Sequence, residues 1–373
     1  MTTEVSRAGV YRSLFVNSAL VCATLAGTLS VLELGLRYVH GEPLIPTENL
    51  IVRKVGLLRV HTANQYDSLL GWVLKENMPY SGGMSTGQYG IRMNARETRP
   101  IPRGAVLTSG DSFTAGSEVE NHQTWPAHLE KILGVPVLNA ATGAWGSDQI
   151  ILRVEQLLQK VSPRMVIVSF LVDDIERTNF RIYGGGNKPY FTVVGGKLLH
   201  HNNPVPVFSG RANELGLLRS VLGYSLLVNW TMERIGYANW WRDGAVYVKV
   251  GIDPVAVSSL LMKRLKEQLD RDGVRLIFIL QYGGGQIATW NKEPDYAVEL
   301  FRNFLAMGIE CINTWPTLKR IRDEQGEDPL KRLYVMHDKN RLYGHMSDAG
   351  NRLVAELVAK QIGQFQRLEN GTR

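Results

Sequence analysis

The chain has 373 residues, 44% of them hydrophobic and 21% charged, which describes a folded protein with one large or two ordinary domains and excludes a disordered one. The formal net charge of +7 is spread along the sequence with no dense basic run interleaved with aromatics, so no nucleic-acid partner is expected. The two cysteines, Cys22 and Cys311, lie far apart and form no CxxC or Cys/His cluster, so neither a disulfide nor a metal site is expected.

Leu14 to Leu36 reads LFVNSALVCATLAGTLSVLELGL, interrupted only by Asn17, Glu33 and small hydroxyls. About 20 apolar residues in a helix cross a bilayer core. Arg7 and Arg12 precede the stretch, and no small-residue cleavage site follows a short apolar core. We therefore read residues 1–37 as an uncleaved single-pass anchor contacting the lipid bilayer through residues 14–36, with the remaining chain outside the cytoplasm, periplasmic in a bacterium. Glu33 and Arg37, four residues apart near the far end, are expected to reach the interface. A buried core helix is the alternative.

Residues 38–100 are punctuated by Pro and Gly and read as a stalk followed by irregular or β structure leading into the main domain. Apolar runs then alternate with helical spacing across 101–365. Strands are expected at Ala105–Ser109, Val135–Ala140, Met165–Val172, Val274–Gln281 and Ile309–Thr314. Helices are expected at Gln123–Leu133, Ser147–Lys160, Val255–Asp272, Tyr296–Met307 and from Ser347 to about Phe365. This βα alternation predicts an α/β domain with a parallel sheet covered on both faces, whose reactive residues gather at the carboxyl ends of the strands. Residues 176–252 break the alternation and read as an inserted hairpin cap plus helices, with Trp230, Trp240 and Trp241 either stacking on a sugar, docking on lipid or packing internally. Asn229-Trp230-Thr231 and Asn370-Gly371-Thr372 fit a glycosylation sequon, relevant in a eukaryotic secretory pathway.

Gly110-Asp111-Ser112 follows the first strand directly, within SGDSFTAG. A serine there can be held on a tight turn with its hydroxyl exposed, where the following helix N-terminus favours negative charge. Gly-Asp-Ser is equally ordinary turn chemistry. A nucleophilic serine needs a base. His345, in YGHMSDAGNRLVAELV just ahead of the last helix, suits that role, with Ser347 as a helix N-cap and Asp348 favourable in the first turn.

Together GDSFTAG, NAATGAWGSDQ, VIVSFLVDDI and HMSDAGNRLVAELV resemble, in order, the blocks of the SGNH (GDSL-type) hydrolases, and YDSLLGWVLKEN and YGIR resemble the lead-in of membrane-anchored members. The resemblance covers roughly residues 66–175 and 333–360. It implies a flavodoxin-like three-layer α/β/α fold of about five parallel strands and a carboxylic ester hydrolase that needs no cofactor. Ser112 would attack an ester carbonyl, with His345 taking its proton and returning it to the leaving alcohol. The oxyanion would rest on the nucleophile's own N–H, a second-block glycine N–H and a third-block asparagine amide.

Three positions depart from that pattern. The second-block glycine matches Ala144, with Gly143 one residue earlier, a small loss unless the position requires positive φ. The third-block asparagine matches Asp173, in Asp173-Asp174; an ionised carboxylate cannot donate, so Asp173 must be protonated or have another role while Arg177 faces the site. The triad acid, usually three residues before the histidine, matches Leu342, leaving Asp338 as the nearest upstream candidate, ahead of Asp111 and Asp348. The expected substrate is an acylated glycan or lipid of the cell envelope. Acyl transfer onto a glycan, or ligand binding without turnover, are the alternatives.

Overall fold

The computed structural model describes residues 7–59, 63–95, 97, 99–207, 215–237, 240–241, 246–339 and 341–371. The chain divides into two compact units, residues 1–60 with 208–247, and residues 61–207 with 248–373.

The larger unit is built on five parallel strands: β1 (Val106–Ser109), β2 (Val137–Asn139), β3 (Met165–Leu171), β4 (Arg275–Gln281) and β5 (Glu310–Asn313). Their order across the sheet is β5-β4-β3-β1-β2, so the connections reverse direction between β1 and β3. In an open α/β sheet that reversal leaves a crevice outside the strand ends. β3 reads MVIVSFL and is buried along its whole length, as a strand covered on both faces must be. Helices α1 (Trp125–Leu133), α2 (Ser147–Val161), α3 (Val172–Arg177), α4 (Pro254–Arg271), α5 (Asp295–Ala306) and α6 (Asp348–Gly371) flank the sheet in a three-layer α/β/α arrangement. Their starts follow local chemistry: Thr124 caps α1 through Ala127 N, Asp253 caps α4 through Val255 N and Ala256 N, and a proline follows each cap. Ser347 Oγ accepts from Gly350 N at the start of α6.

The described lead-in residues between 63 and 100 group with this unit. They form an antiparallel pair, Asn64–Asp67 with Gly71–Leu74, and place Leu70, Val73 and Ile91 in the core. The inserted segment also divides. Its first part holds the expected hairpin, Tyr190–Val194 with Lys197–His201, and stays with the sheet unit, whereas residues 208–247 group with the N-terminal helix.

The smaller unit contains a long helix, Arg7–His40, and shorter helices at Leu50–Arg59, Leu217–Leu222 and Leu226–Arg234. Leu14–His40 is long and apolar enough to cross a membrane, with mean hydropathy 1.8 over its most apolar window, and none of that window is buried. Glu33 and Arg37 do not simply face outward. Glu33 accepts from Leu226 N, Leu227 N and Ser225 Oγ at 2.8 Å each, capping the Leu226–Arg234 helix. Arg37, only 2% exposed, donates to Glu33, to Pro43 O and to Tyr224 O. Trp240 and Trp241 pack on Ile51, Leu215 and Val246. Asn229 is buried with its amide donating to Ser225 O, so this sequon asparagine is closed to modification. The side chain of Asn370 lies outside the described residues.

Candidate active site

β1 ends at Ser109, and the chain turns through Gly110 and Asp111 into a single helical turn, Ser112–Ala115. A Cβ on Gly110 would collide with the Thr114 side chain and the Ser169 carbonyl, so this turn closes only around glycine. Asp111 Oδ1 accepts from Phe113 N at 2.9 Å, capping the turn. Its other oxygen accepts from Arg177 Nη1 at 3.0 Å, and the Ser112 hydroxyl donates to it at 3.3 Å.

His345 lies on the second strand of an antiparallel hairpin, Tyr334–His337 with Leu342–Met346, whose end leads into α6. Ser112 and His345 line one cleft of about 340 Å³, with Phe113, Asp173, Arg177 and Tyr343 around it and Gly283–Gln286 on one wall. Phe113 and His345 have ring centroids 5.3 Å apart. The topology thus joins residues more than two hundred positions apart in sequence at the carboxyl ends of the strands.

The residue holding the histidine is Glu118. Glu118 Oε2 accepts from His345 N and lies 2.7 Å from His345 Nδ1, while Oε1 lies 2.6 Å from His337 Nε2. Burial raises the Glu118 pKa, but the His345 N–H, the His345 ring and His337 outweigh it and hold the carboxyl below its ordinary value. An ionised carboxylate only accepts, so the proton of neutral His345 sits on Nδ1 and Nε2 keeps its lone pair. Gly344 makes the approach possible, because a Cβ there would stand 2.6 Å from both Glu118 Oε2 and His337 Nε2.

Asp338 does not supply this contact. It lies exposed in the hairpin turn at φ 44°, where its backbone carbonyl accepts from Arg341 N. Leu342 pairs with His337 in the hairpin. Asp348 is bound elsewhere, 2.8 Å from His128 Nε2. Asp338 lies seven residues before His345, but the hairpin pairs His337 with Leu342 and so leaves Asp338 in the turn beyond that pair.

Gly143 lies against the nucleophile: a Cβ on it would sit 3.6 Å from Ser112 Cβ. Ala144 has φ +66°, so this is a position that does require the left-handed region. An L-residue there carries about 1–2 kcal/mol of strain relative to glycine. Asp173, on the first turn of α3, faces the cleft and accepts from Gln286 Nε2 at 2.8 Å. Burial raises its pKa, Arg177 opposes the shift, and the Asp111 charge adds to it. Asp174 is not part of the cleft wall. It is fully buried, accepting from Leu171 N at 2.7 Å and Arg177 Nη1 at 2.6 Å. Burial and the Asp111 charge raise its pKa well above the usual carboxylate value. Burial disfavours the Arg177 charge, yet Asp174 and Asp111 outweigh it and keep the guanidinium ionised.

The lead-in carries two supports that sequence pattern alone does not reveal. Trp72 Nε1 donates to Gly143 O at 3.0 Å, and Trp145 Nε1 donates back to Trp72 O at 3.0 Å. The Arg92 guanidinium, 3% exposed, donates to the carbonyls of Gly83, Ala115, Gly116 and Val119 and to Asn121 Oδ1. It thereby clamps the loop carrying Glu118. A larger cavity, about 430 Å³ between residues 87–102 and 130–138, contains no serine or histidine.

No protein-family model and no curated protein sequence matches the chain. Solved structures similar in fold include a lipolytic protein of the G-D-S-L family from Desulfitobacterium hafniense, 12% identical over 69% of this chain and 99% of that one, with a TM-score of 0.35. The esterase EstA from Pseudoalteromonas sp. is 11% identical over 71% and 99%, with a TM-score of 0.38. LAE5, an alpha/beta hydrolase enzyme from the metagenome of Lake Arreo, Spain, is 11% identical over 70% and 96%, with a TM-score of 0.40.

Proposed function

We propose that this chain is a serine ester hydrolase in which Ser112, His345 and Glu118 form the catalytic triad. The observation that carries the reading is the Glu118 carboxylate 2.7 Å from His345 Nδ1, in the cleft His345 shares with Ser112. It leaves Nε2 as the general base. Ser112 Oγ leaves its 3.3 Å contact with Asp111 and attacks the ester carbonyl as Nε2 takes its proton. Glu118 stabilises the imidazolium that results. The tetrahedral intermediate expels the alcohol, which receives the proton from Nε2. Water then hydrolyses the acyl-serine by the same exchange, releasing the carboxylic acid.

The oxyanion rests on the Ser112 N–H, at the start of its helical turn, and on the Gly143–Ala144 backbone. Asp173 in its neutral form adds an O–H donor in place of an amide, while its other oxygen stays on Gln286. The apolar Leu14–His40 helix anchors the chain in a bilayer as a single pass, with the sheet unit outside the cytoplasm. The substrate of such a tethered enzyme is an acyl ester on an envelope glycan or lipid.

A fluorophosphonate probe tests the chemistry, because it labels only an activated serine. We expect the full chain in detergent to be labelled at Ser112, with labelling lost in Ser112→Ala and His345→Ala that retain wild-type melting temperature. An unlabelled wild type, under conditions that label a control esterase, would overturn the reading. Product analysis with a sugar acceptor present distinguishes hydrolysis from transfer.

A further inference from the structure

We infer that the Leu217–Leu222 helix is a membrane-interface shoulder, seated in a phospholipid headgroup layer beside the N-terminal span. The inference rests on the single-pass anchor proposed above and is independent of the ester chemistry.

The helix is bolted to the end of that span. The turn that follows it, Gly223 to Ser225, is tied to the long helix through Arg37 Nη2 to Tyr224 O and Ser225 Oγ to Glu33 Oε2. Glu33 also accepts the first two N–H groups of the next helix, Leu226–Arg234. On its other side, Asn49 Nδ2 donates to Arg219 O, and Leu50 N donates to Gly223 O. Within the same unit, Arg219 Nε donates to Trp240 O and Ser220 Oγ to Leu217 O.

What it leaves outward is apolar. Leu217, Leu218 and Val221 are 83%, 62% and 62% exposed and fall within one side of the helix. Tyr38, Val39, Leu44 and Ile45, at and just beyond the end of the span, are exposed as well. Exposed aliphatic side chains on an element hydrogen-bonded to the end of the span mark a contact surface, and that attachment names the occupant as lipid.

The depth agrees. A helix rises about 1.5 Å per residue and the hydrocarbon core is about 30 Å thick, so a span entering at Leu14 leaves after about 20 residues, near Glu33 and Arg37. Those are the two residues that hold the shoulder. Cations and indoles suited to an anionic headgroup layer lie in the same unit: Lys54 stands over the Trp241 ring at 5.4 Å and Arg234 over Trp230 at 4.8 Å.

The test is spin-label accessibility in nanodiscs of phosphatidylethanolamine and phosphatidylglycerol, using the full chain in a Cys22→Ala, Cys311→Ala background. Labels go at Leu217→Cys, Leu218→Cys and Val221→Cys, with Leu25→Cys and Leu29→Cys for the span and exposed Lys263→Cys for water. We expect the three shoulder labels to resemble Leu29→Cys, relaxed by oxygen and shielded from a water-soluble nickel chelate. Shoulder labels open to nickel, while the span labels are shielded, would overturn the shoulder and leave the anchor standing. Nickel access at the span labels would overturn the anchor, and the shoulder with it. Shielding from both relaxants would indicate a protein partner and overturn the lipid assignment.

Discussion

Replacing Glu118 with Gln separates the triad assigned here from one built on Asp338. The carboxylate accepts from the backbone and ring of His345 and meets His337 with its second oxygen. Glutamine is the same size and still accepts through one oxygen, so the histidine stays in place while the negative charge is lost. A hydrogen bond to a charged group contributes about 1.5–3 kcal/mol. Glu118 and His345 are 29% and 31% exposed at their side chains, so solvent screening places the effect in the lower half of that range. At about 1.4 kcal/mol per tenfold, kcat should fall roughly ten- to fortyfold, because the lost charge faces an imidazolium present only in the transition state. KM should change little. The assay is hydrolysis of p-nitrophenyl acetate by the full chain in detergent, with fluorophosphonate labelling rate and melting temperature in parallel. Activity within twofold of wild type would refute the reasoning, as would Asp338→Asn producing the loss expected of Glu118→Gln.

Asp173→Asn should retain or exceed wild-type activity, since an amide donates at every pH. Because burial raises the Asp173 pKa, its protonation stabilises the fold fully below the ordinary 3.8, and this contribution is lost as pH rises through the elevated value. The melting temperature of Asp173→Asn relative to wild type should therefore climb across that window, and a collapse of activity instead would assign Asp173 an ionised role. Ala144→Gly should stabilise by about 0.5–1 kcal/mol, from about 1–2 kcal/mol of relieved left-handed strain less the extra freedom of glycine in the unfolded chain. A lower melting temperature would refute this. Burial lowers the Arg92 pKa to about 10, which leaves it charged at neutral pH. Arg92→Lys keeps the charge but loses the planar fork, so kcat should fall with KM unchanged as the Glu118 loop loosens; wild-type kinetics would show that the clamp is not needed.

Much of this protein is legible without coordinates. Each of the five sheet strands begins and ends within two residues of its expected place, because a parallel sheet buried on both faces demands continuous apolar runs, as in Met165–Leu171. The same local logic marked Ser112 at a strand end and His345 before the last helix. Glu118 stayed hidden for the opposite reason. It sits six residues after the nucleophile in an ordinary-looking loop, and its role exists only because Arg92 holds that loop and Gly344 makes room beside it. Asp338 is nearer by counting, yet it lies exposed in the hairpin turn while Glu118 makes the contact with the ring. Likewise, that Leu70, Val73 and Ile91 join the core, and that Glu33 caps a helix nearly two hundred residues on, are matters of which surfaces meet. Periodicity reports how a segment buries its own side chains, while partners distant in the chain are chosen by packing in three dimensions.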